Sequence, residues 1–422
     1  MANIKAKINK FLTWSGEYAH TDMRYIVKGG FWLTFGRIAA MGTTFLLSVA
    51  FANLVSPETY GTYKYILSIY GLLAIITLPG ISIALVQSVA GGYEGSITKI
   101  IKTKIKWGIA GSLGSLVVAG YYLWNGNSDF AIAFFIVSAF LPFIDTFDLY
   151  GSVFSGKQDF KNFAAYTTVP SIIVSGMLIG TLFFTNKAYL IALVYFAAWT
   201  LARFITLKVA LLKFPLNKNE DPGVISYGKN LTWMNIINHV AGYVDKLFVF
   251  LFVGPAELAI YSIAIAPPEQ VKNLLSQIND LMFPRLAERS DEEIKAGMKN
   301  KYIKLFILGV IVVGGYILLA PYFFSMFFPK YGQSVLLSQI FSISMLNVTA
   351  IAPGVYLMAK KKTKELYYSN AIISVFQIIS MGILTYLLGL WGLVIARVIT
   401  RLFSPLITIY YYNKTVGQET AS

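Results

Sequence analysis

SPETYGTYKYILS, residues 56–68, and GPAELAIYSIAIA, residues 254–266, follow one pattern and together set the architecture of this chain. Each stretch follows a long apolar run and begins the next one. They align without gaps at an offset of 198 residues, which matches two pairs of residues: Pro57 with Pro255, and Tyr63 with Tyr261. Because proline suits the first turn of any helix, a shared helix-start signal is the alternative explanation. The offset divides the 422 residues almost evenly and predicts an internal repeat of two halves.

The composition is typical of a membrane protein. Hydrophobic residues make up 56% of the chain and charged residues only 13%, whereas roughly a quarter of an ordinary soluble protein is charged. The mean hydropathy is +0.63. Continuous apolar runs of about 20 residues, the length that crosses a hydrocarbon core of about 30 Å as a helix, recur from end to end. Because these runs do not alternate polar and apolar residues, we expect a polytopic α-helical membrane protein rather than a transmembrane barrel.

Hydropathy windows of about 19 residues predict about twelve membrane-spanning helices. The predicted spans are residues 29–54, 62–80, 100–123, 128–150, 162–184, 188–212, 229–253, 256–284, 303–326, 333–358, 366–388 and 391–412. An offset of 198 residues moves six spans along the chain, and since six is even the two halves keep one orientation. We therefore expect two six-helix lobes related by a pseudo-twofold axis along the membrane normal.

The predicted organisation has five parts. They are a cytoplasmic amphipathic segment 1–28, an N-terminal six-helix lobe 29–212, a cytoplasmic linker 213–228, a C-terminal six-helix lobe 229–412 and a cytoplasmic tail 413–422. In the first segment Ile4, Ile8 and Phe11 share one helical face beside several lysines, which is typical of a helix that lies on an anionic leaflet. This segment is too polar and too long for a cleavable signal peptide.

The distribution of lysine and arginine predicts the orientation in the membrane. The chain has 35 of these residues against 20 acidic ones, a net charge of +15. About 26 of the 35 lie on one set of alternating connections and about 3 on the other set, which makes the first side and both termini cytoplasmic. Since the basic residues lie between apolar runs and not along one soluble face, no nucleic acid partner is expected. The absence of cysteine means that the chain has no disulfide framework.

The stretch GSVFSGKQ, residues 151–158, differs at one position from the P-loop pattern of nucleotide-binding proteins. Gln158 occupies the position where a P-loop has a hydroxyl for magnesium, and a P-loop needs a preceding strand where this chain has a membrane-spanning run. No soluble segment is long enough for a nucleotide-binding domain. We therefore expect neither a nucleotide nor another cofactor, and we expect any work that the protein performs to be driven by ion gradients or by the membrane potential.

Ionisable residues inside the predicted spans are the candidate functional residues, because charge is costly in hydrocarbon and usually faces a bundle interior or a water-filled cavity. The basic ones are Arg37, Arg203, Lys246, Lys272, Arg397 and Arg401. The acidic ones, which are candidates for coupling to protons or sodium ions, are Asp145, Asp148, Asp245, Glu269 and Asp280. No metal site is predicted, because histidine and cysteine do not occur at ligand spacing. The sequence also has no nucleophile–base signature of an enzyme.

Arg397 and Arg401 are four residues apart on one predicted span and therefore share a helical face, roughly 9 and 15 Å from its external end. Like charges at this spacing repel, so within a membrane they imply water, carboxylate partners or an anionic ligand. Two interpretations stay open: a cavity that binds an anion, or a structural pair with acids of a neighbouring helix. The same two apply to Arg37. Arg203 and Lys272 lie nearer the cytoplasmic helix ends, where a long side chain can reach water.

Asp145 and Asp148 are three residues apart on the fourth predicted span. Two carboxylates that share a poorly hydrated pocket are suited to bind a coupling proton. The alternative, which the sequence favours, is a solvated helix end where the two aspartates pair with Lys157 and Lys161.

Three stretches resemble a known family: residues 51–90, 243–270 and LMFPRLAE at 281–288. They are similar to the polysaccharide transporter or O-antigen type oligosaccharide flippase family, whose superfamily also holds the MATE drug exporters and the lipid II flippases. The resemblance implies a V-shaped pair of six-helix lobes in a bacterial or archaeal cytoplasmic membrane. It also implies that the protein moves an undecaprenyl-diphosphate-linked oligosaccharide to the outer leaflet for O-antigen, capsule or S-layer glycan.

A cationic central cavity that receives the diphosphate and the sugar is a further implication of this resemblance. Arg37, Arg397 and Lys246 match that pattern, and Arg401 joins them because it shares the face of Arg397. The chain departs from the pattern because its intramembrane basic and acidic residues nearly balance. A positive cavity must therefore come from how the charges are arranged.

Three rival functions are weaker on sequence grounds. A MATE-type exporter of organic cations needs a net acidic cavity, whereas the two arginines on one face indicate the opposite. A transporter of the major facilitator type has an Asp-Arg and Gly-Arg-Arg pattern between its second and third helices that AGGYEGSITKIIKTK lacks. A membrane glycosyltransferase or polysaccharide polymerase usually has a sizeable external loop with acidic residues, and the predicted external loops here are short.

Overall fold

A computed structural model describes residues 23–278, Met282, Leu286 and 291–419. Within these residues the chain is helical and has no strand, which confirms the predicted all-α class. The helices, numbered in chain order, are α1 Met23–Leu54, α2 Pro57–Leu73, α3 Gly80–Ala90, α4 Ser96–Trp124, α5 Ser128–Phe147, α6 Tyr150–Gly156, α7 Phe160–Leu182, α8 Ala188–Lys213, α9 Val224–Phe252, α10 Pro255–Ser276, α11 Asp291–Phe327, α12 Ser334–Ser342, α13 Ile351–Ala359 and α14 Thr363–Glu419. Short 3₁₀ helices lie at Ala74–Thr77, Pro329–Tyr331 and Ile343–Ala350.

Seven helical segments of the described chain are long and apolar enough to cross a membrane, and an eighth is added if α2 and α3 form one bent span. The protein is therefore a multi-pass membrane protein. The helix α14 contains two of the predicted spans, separated at Gly389, where φ is 59° and the backbone leaves the helical conformation. The remaining predicted spans lie on the more highly charged helices α4, α9 and α10. The number twelve stays a prediction.

The second predicted span, 62–80, differs from the structure at both ends. The helix α2 begins earlier, at Pro57, because the Ser56 side chain accepts a hydrogen bond from the Thr59 N–H at 3.2 Å and caps the first turn. Beyond the span, α3 extends the helical chain to Ala90 after a bend of 49°. Leu78, with φ at 59°, lies at this bend.

The described chain divides into two compact units. Unit 1 comprises the described residues within 1–47, 76–183 and 193–232, and unit 2 those within 48–75, 184–192 and 233–422. Each unit has its own apolar core: in unit 1 this core includes Ile81, Phe154 and Val224, and in unit 2 it includes Tyr356 and Tyr412. The six-helix lobes and the other predicted domain boundaries stay predictions, and residues 1–22 of the amphipathic segment lie outside the described residues.

Within unit 2, α2 packs closely on α9, which precedes the second copy of the repeated pattern, and on α10, which that copy begins. A β-carbon at Gly61 of α2 would lie 1.7 Å from the Pro255 carbonyl oxygen of α10. A β-carbon at Gly71 of α2 would lie 2.2 Å from the Tyr243 ring of α9. At Gly61 the neighbouring atoms are backbone and cannot turn aside, so this approach requires glycine. The two matching helix starts, at Pro57 and Pro255, therefore belong to helices in direct contact.

Gly61→Ala is expected to destabilise the protein by about 1–3 kcal/mol or more, the cost of an overpacked site. The new methyl group would meet backbone atoms of Pro255, which cannot rotate away as a side chain can. The check is thermal unfolding in detergent beside Gly120→Ala, since nothing lies within 4 Å of a β-carbon at Gly120. Equal unfolding temperatures for the two variants would show that α2 and α10 do not pack at this distance.

Candidate functional site

Arg397 lies on the second half of α14, and its guanidinium contacts three side chains of two other helices. Its Nη1 donates to Asp245 Oδ2 of α9 at 2.9 Å and to the Tyr261 hydroxyl of α10 at 2.7 Å. Its Nη2 donates to Glu269 Oε1 of α10 at 3.0 Å. Two carboxylates on separate helices therefore bind one guanidinium.

Arg401, one turn further along α14, shares a carboxylate with Arg397. Its Nη2 donates to the same Glu269 Oε1, and its Nη1 donates to Ser344 Oγ at 3.0 Å. Both guanidinium groups lie over the Phe341 ring, at 5.1 and 4.9 Å from its centroid, a favourable cation–π contact. Because Glu269 lies between the two like charges, they can share one face of the helix. We call Asp245, Tyr261, Glu269, Arg397 and Arg401 the arginine cluster.

The arginine cluster is largely shielded from solvent. Asp245 and Tyr261 are buried, and the side chains of Arg397 and Arg401 are each 13% exposed. The Tyr261 hydroxyl donates to Asp245 Oδ2 at 2.7 Å, and the Lys246 backbone N–H donates to Asp245 Oδ1 at 2.8 Å. Both oxygens of Asp245 are therefore engaged within the protein, and the positive charge of Arg397 is balanced by carboxylates.

Lys64 of α2 and Lys246 of α9 form a second group of charges in unit 2, which we call the lysine pair. Tyr65 of α2 stacks on Phe250 of α9 with ring centroids 3.8 Å apart, which holds the two helices together. Both lysine side chains are partly buried, and each interacts electrostatically with the other. The packing of α2 on α9 therefore brings two like charges together within the apolar part of the protein.

Neither ammonium group of the lysine pair has a counter-ion in the part of the chain that the structure describes. There, no carboxylate oxygen lies within 4.0 Å of either group and neither group donates a hydrogen bond. The Lys64 ammonium lies 5.1 Å from the Tyr60 ring centroid and the Lys246 ammonium 5.7 Å from that of Tyr243. Since a buried charge is costly unless it is paired, the lysine pair has the charge and the burial that suit an anion.

The cations around the arginine cluster outnumber its carboxylates. Lys272 Nζ lies 3.6 Å from Glu269 Oε2, so Glu269 serves three cations, and Lys246 interacts electrostatically with Asp245, Arg397 and Glu269. The five cations are Lys64, Lys246, Lys272, Arg397 and Arg401, and the two carboxylates are Asp245 and Glu269. Among the described residues, these charges therefore sum to three positive charges in excess.

Unit 1 contains a separate charged group around Arg203 of α8. Arg203 Nη1 lies 3.6 Å from Asp145 Oδ1 and donates to the Ile144 carbonyl at 3.0 Å, and Arg203 Nε lies 3.2 Å from Asp148 Oδ1. Lys104 of α4 is buried and interacts electrostatically with both aspartates. The two aspartates therefore pair with Arg203, a partner that the sequence analysis did not name.

Lys157 and Lys161, the partners expected for those aspartates, bind elsewhere in unit 1. Lys161 lies over the Trp32 ring, 5.7 Å from its centroid. Lys157 forms an ion pair with Glu94, which also accepts a hydrogen bond from the Asn217 side chain. The Lys157 hydrogen bond outweighs burial and holds the pKa of Glu94 below its usual value of 4.5. The lysine of GSVFSGKQ is therefore engaged with a carboxylate, at the end of helix α6.

The structure brings together four of the predicted site residues and leaves others apart. Asp245, Glu269, Arg397 and Arg401 contact one another, and Lys246 is their neighbour. Arg37 belongs to unit 1, where its side chain is exposed on α1. Asp280 lies outside the described residues. Their roles as substrate-binding or ion-coupling residues stay proposals.

Lys64, Lys104 and the role of Tyr261 were not predicted from the sequence. Lys64 is a single charge within the apolar run TYKYILSIY. One charge does not prevent this run from being predicted as a span, so the pattern does not mark Lys64 as a candidate. Lys104 belongs to TKIIKTKIK, whose closely spaced lysines indicate a cytoplasmic helix end. Tyr261 was singled out only as a repeat position. In the described residues no group of three or more metal-binding side chains is placed to hold an ion.

Comparison with known proteins assigns the family. The family described as "Polysaccharide biosynthesis protein" matches residues 26–290, more than half of the chain. The chain belongs to the polysaccharide biosynthesis protein family. A curated relative of this chain is the "Putative O-antigen transporter" of Shigella flexneri. The two are 25% identical over 319 residues, which are 68% of this chain and 74% of the relative.

The fold of this polysaccharide biosynthesis family member is found in solved transporters of low sequence identity. A lipid II flippase MurJ in an inward closed conformation has a TM-score of 0.70 at 14% identity and covers 91% of this chain and 87% of its own. An inward-facing MATE family multidrug resistance transporter of the MOP superfamily has a TM-score of 0.65 at 11% identity and covers 92% and 99%. The family member therefore has the MurJ and MATE fold, as the resemblance implied.

Proposed function

We propose that this protein is a flippase that moves undecaprenyl-diphosphate-linked oligosaccharides from the inner to the outer leaflet of the cytoplasmic membrane. The product would serve a surface polysaccharide such as O-antigen, capsule or S-layer glycan. The family and the fold support a membrane transporter for polysaccharide synthesis. The observation that carries the proposal is the lysine pair, two partly buried ammonium groups without a counter-ion among the described residues.

The charge of the headgroup suits this site. An ionised diphosphate has one negative charge for each lysine of the pair, and charge-assisted hydrogen bonds to phosphate are the strong ones. They would offset the cost of moving the headgroup out of water. The membrane potential supplies direction, since two negative charges that leave a negative-inside cell gain on the order of 4–5 kcal/mol per 100 mV.

In this proposal the charged residues have different roles. Lys64 and Lys246 bind the diphosphate directly. The arginine cluster, whose two cations and two carboxylates balance, holds α9, α10 and α14 together. Arg37 of unit 1 is a further candidate for binding an anion, and both termini are cytoplasmic.

Coupling to an inward flow of protons or sodium ions is a further part of the proposal. A proton or sodium ion bound by Asp245 or Glu269 would free Arg397 or Arg401 to bind the anion, and its release would restore the ion pairs. Asp145, Asp148 and Asp280 are the other candidate sites. Transport into vesicles that is indifferent to both ion gradients would eliminate this part and leave the flippase proposal in place.

The test of the function is reconstitution into liposomes with a fluorescent undecaprenyl-diphosphate oligosaccharide. A membrane-impermeant quencher reports the probe in the outer leaflet, and protein-free liposomes give the background. We expect protein-dependent movement that an imposed potential accelerates. Uptake of fluorescent organic cations in the same vesicles, without movement of the lipid, would replace the flippase by a MATE-type cation-coupled exporter of small organic molecules.

A further inference from the structure

The helix α4 of unit 1 has two different faces, of which the inner one packs on α5. A β-carbon at Gly108 would lie 2.5 Å from Pro142 Cα of α5. The Ser115 hydroxyl donates to the Phe134 carbonyl oxygen of α5 at 2.8 Å. Lys104 lies on this face and is buried. The inner face is therefore filled by close contacts with α5, and the opposite face remains on the outside of unit 1.

The outer face of α4 is apolar over much of its length. Ile109, Leu113, Val117 and Trp124 follow one another at intervals of four or seven residues and therefore share one side of the helix. The side chain of each is more than half exposed. A contiguous exposed apolar surface indicates contact with a membrane or with another protein.

Two tryptophans indicate the depth of α4 in a membrane. Residues 107–124 are 18 residues without a charge, and they begin at Trp107 and end at Trp124. The two tryptophans are about 26 Å apart at a rise of 1.5 Å per residue, close to the hydrocarbon thickness of about 30 Å. Tryptophan is enriched at both membrane surfaces. This spacing favours lipid as the neighbour of the outer face, with Trp107 at one membrane surface.

Three lysines continue the outer face beyond Trp107. Lys99, Lys102 and Lys106 are exposed and lie at intervals of three and four residues. No carboxylate oxygen of the described chain lies within 4.0 Å of their ammonium groups. The helix α4 has no acidic residue, and the nearest one along the chain, Glu94, pairs with a lysine of α6–α7. Three uncompensated positive charges therefore lie in line with the lipid-facing residues, at the level of the lipid headgroups.

We infer that the outer face of α4 binds anionic phospholipids of one leaflet. The apolar residues contact the acyl chains, and Lys99, Lys102 and Lys106 bind the headgroups. A zwitterionic headgroup has no net charge to balance three ammonium groups, whereas an anionic one does, and basic residues beside a membrane helix attract anionic lipids. The inference concerns lipid around the protein and not the transported molecule, so it does not depend on the proposed function.

The experiment measures which lipid lies against the outer face. The chain has no cysteine, so Ala110→Cys places a single fluorophore at an exposed position of this face. The labelled full chain is reconstituted in phosphatidylcholine nanodiscs. These contain equal fractions of nitroxide-labelled phosphatidylglycerol or nitroxide-labelled phosphatidylcholine, either of which quenches the fluorophore on contact. The test variant has Lys99→Gln, Lys102→Gln and Lys106→Gln. The controls are the three corresponding arginine substitutions and Lys208→Gln, which removes an exposed lysine from α8.

We expect the phosphatidylglycerol probe to associate about fivefold or more over the phosphatidylcholine probe, the factor that corresponds to one lysine at an anionic surface. The glutamine variant should lose this preference, and both controls should keep it. In 1 M salt, where the Debye length is about 3 Å, the preference of wild type should also fall. The salt measurement needs no substituted lysine, so it tests the inference even if the glutamine variant does not fold.

Three results would overturn the inference. Equal quenching by the two probes at low salt would show that the face does not select anionic lipid. A preference that survives in the folded glutamine variant, or in 1 M salt, would show that these lysines do not produce it. A fluorophore shielded from both probes would show that the outer face packs on a second copy of this chain and not on lipid.

Discussion

Arg397→Met is expected to lower the free energy of unfolding by about 3–5 kcal/mol, the usual cost of removing one partner from a buried ion pair. Asp245, whose side chain is 3% exposed, would lose its only guanidinium partner among the described residues. Tyr261 and Glu269 would each lose a hydrogen bond as well. Arg397 links α14 to both α9 and α10 in the described structure, so its loss should weaken the packing of these helices.

The double variant Arg397→Met with Asp245→Asn distinguishes an uncompensated charge from lost packing. Replacing both partners removes the buried negative charge, and we expect most of the lost stability to return. The check is chemical or thermal unfolding of the three proteins in one detergent. An Arg397→Met protein as stable as wild type would show that the arginine cluster does not form.

The double variant Lys64→Gln with Lys246→Gln is expected to lose transport but to keep or gain stability, unlike Arg397→Met, which loses stability. Two partly buried positive charges without counter-ions destabilise the empty protein, and glutamine removes them at similar volume. A hydrogen bond to a charged group contributes about 1.5–3 kcal/mol, and 1.4 kcal/mol is a factor of ten in affinity. Each single substitution should therefore weaken diphosphate binding about tenfold or more, and the double substitution about 100-fold.

Two controls accompany this prediction: one keeps the positive charge at both positions, and the other removes a positive charge elsewhere. Lys64→Arg with Lys246→Arg keeps both positive charges and should retain most transport. Lys208→Gln removes an exposed charge from α8 and should leave transport unchanged. The readout is the initial rate of lipid movement in liposomes together with the unfolding temperature. Loss of transport that accompanies unfolding would return the lysine pair to a structural role.

The sequence predicted the helices well because span length and hydropathy are local properties. Pro57 and Pro255 each begin a helix, as the shared pattern indicated. The bend between α2 and α3 was not predicted, because Leu78 adopts a left-handed conformation that its residue type does not favour. The predicted spans 62–80 and 100–123 leave most of α3 between them.

The charge pairing was only partly predictable. The spacing of Arg397 and Arg401 placed them on one face, yet their carboxylates lie on other helices, and Asp245 is 152 residues away from Arg397 along the chain. Such partners depend on helix packing, which spacing within one helix does not determine. One sequence signal relates the two charged groups: Arg203 and Arg401 are separated by 198 residues, which is the offset of the repeat. Each pairs with carboxylates of another helix.

The most direct test of the account compares three polyprenol-linked probes with one sugar and different headgroups: a diphosphate, a monophosphate and an uncharged glycoside. Movement of each is measured in liposomes with wild type and with Lys64→Gln plus Lys246→Gln. We expect wild type to move the diphosphate fastest and the uncharged probe slowest, and we expect the double variant to lose both this preference and the rate. Equal movement of all three probes by wild type, or an unchanged preference in the double variant, would contradict recognition of the diphosphate by the lysine pair.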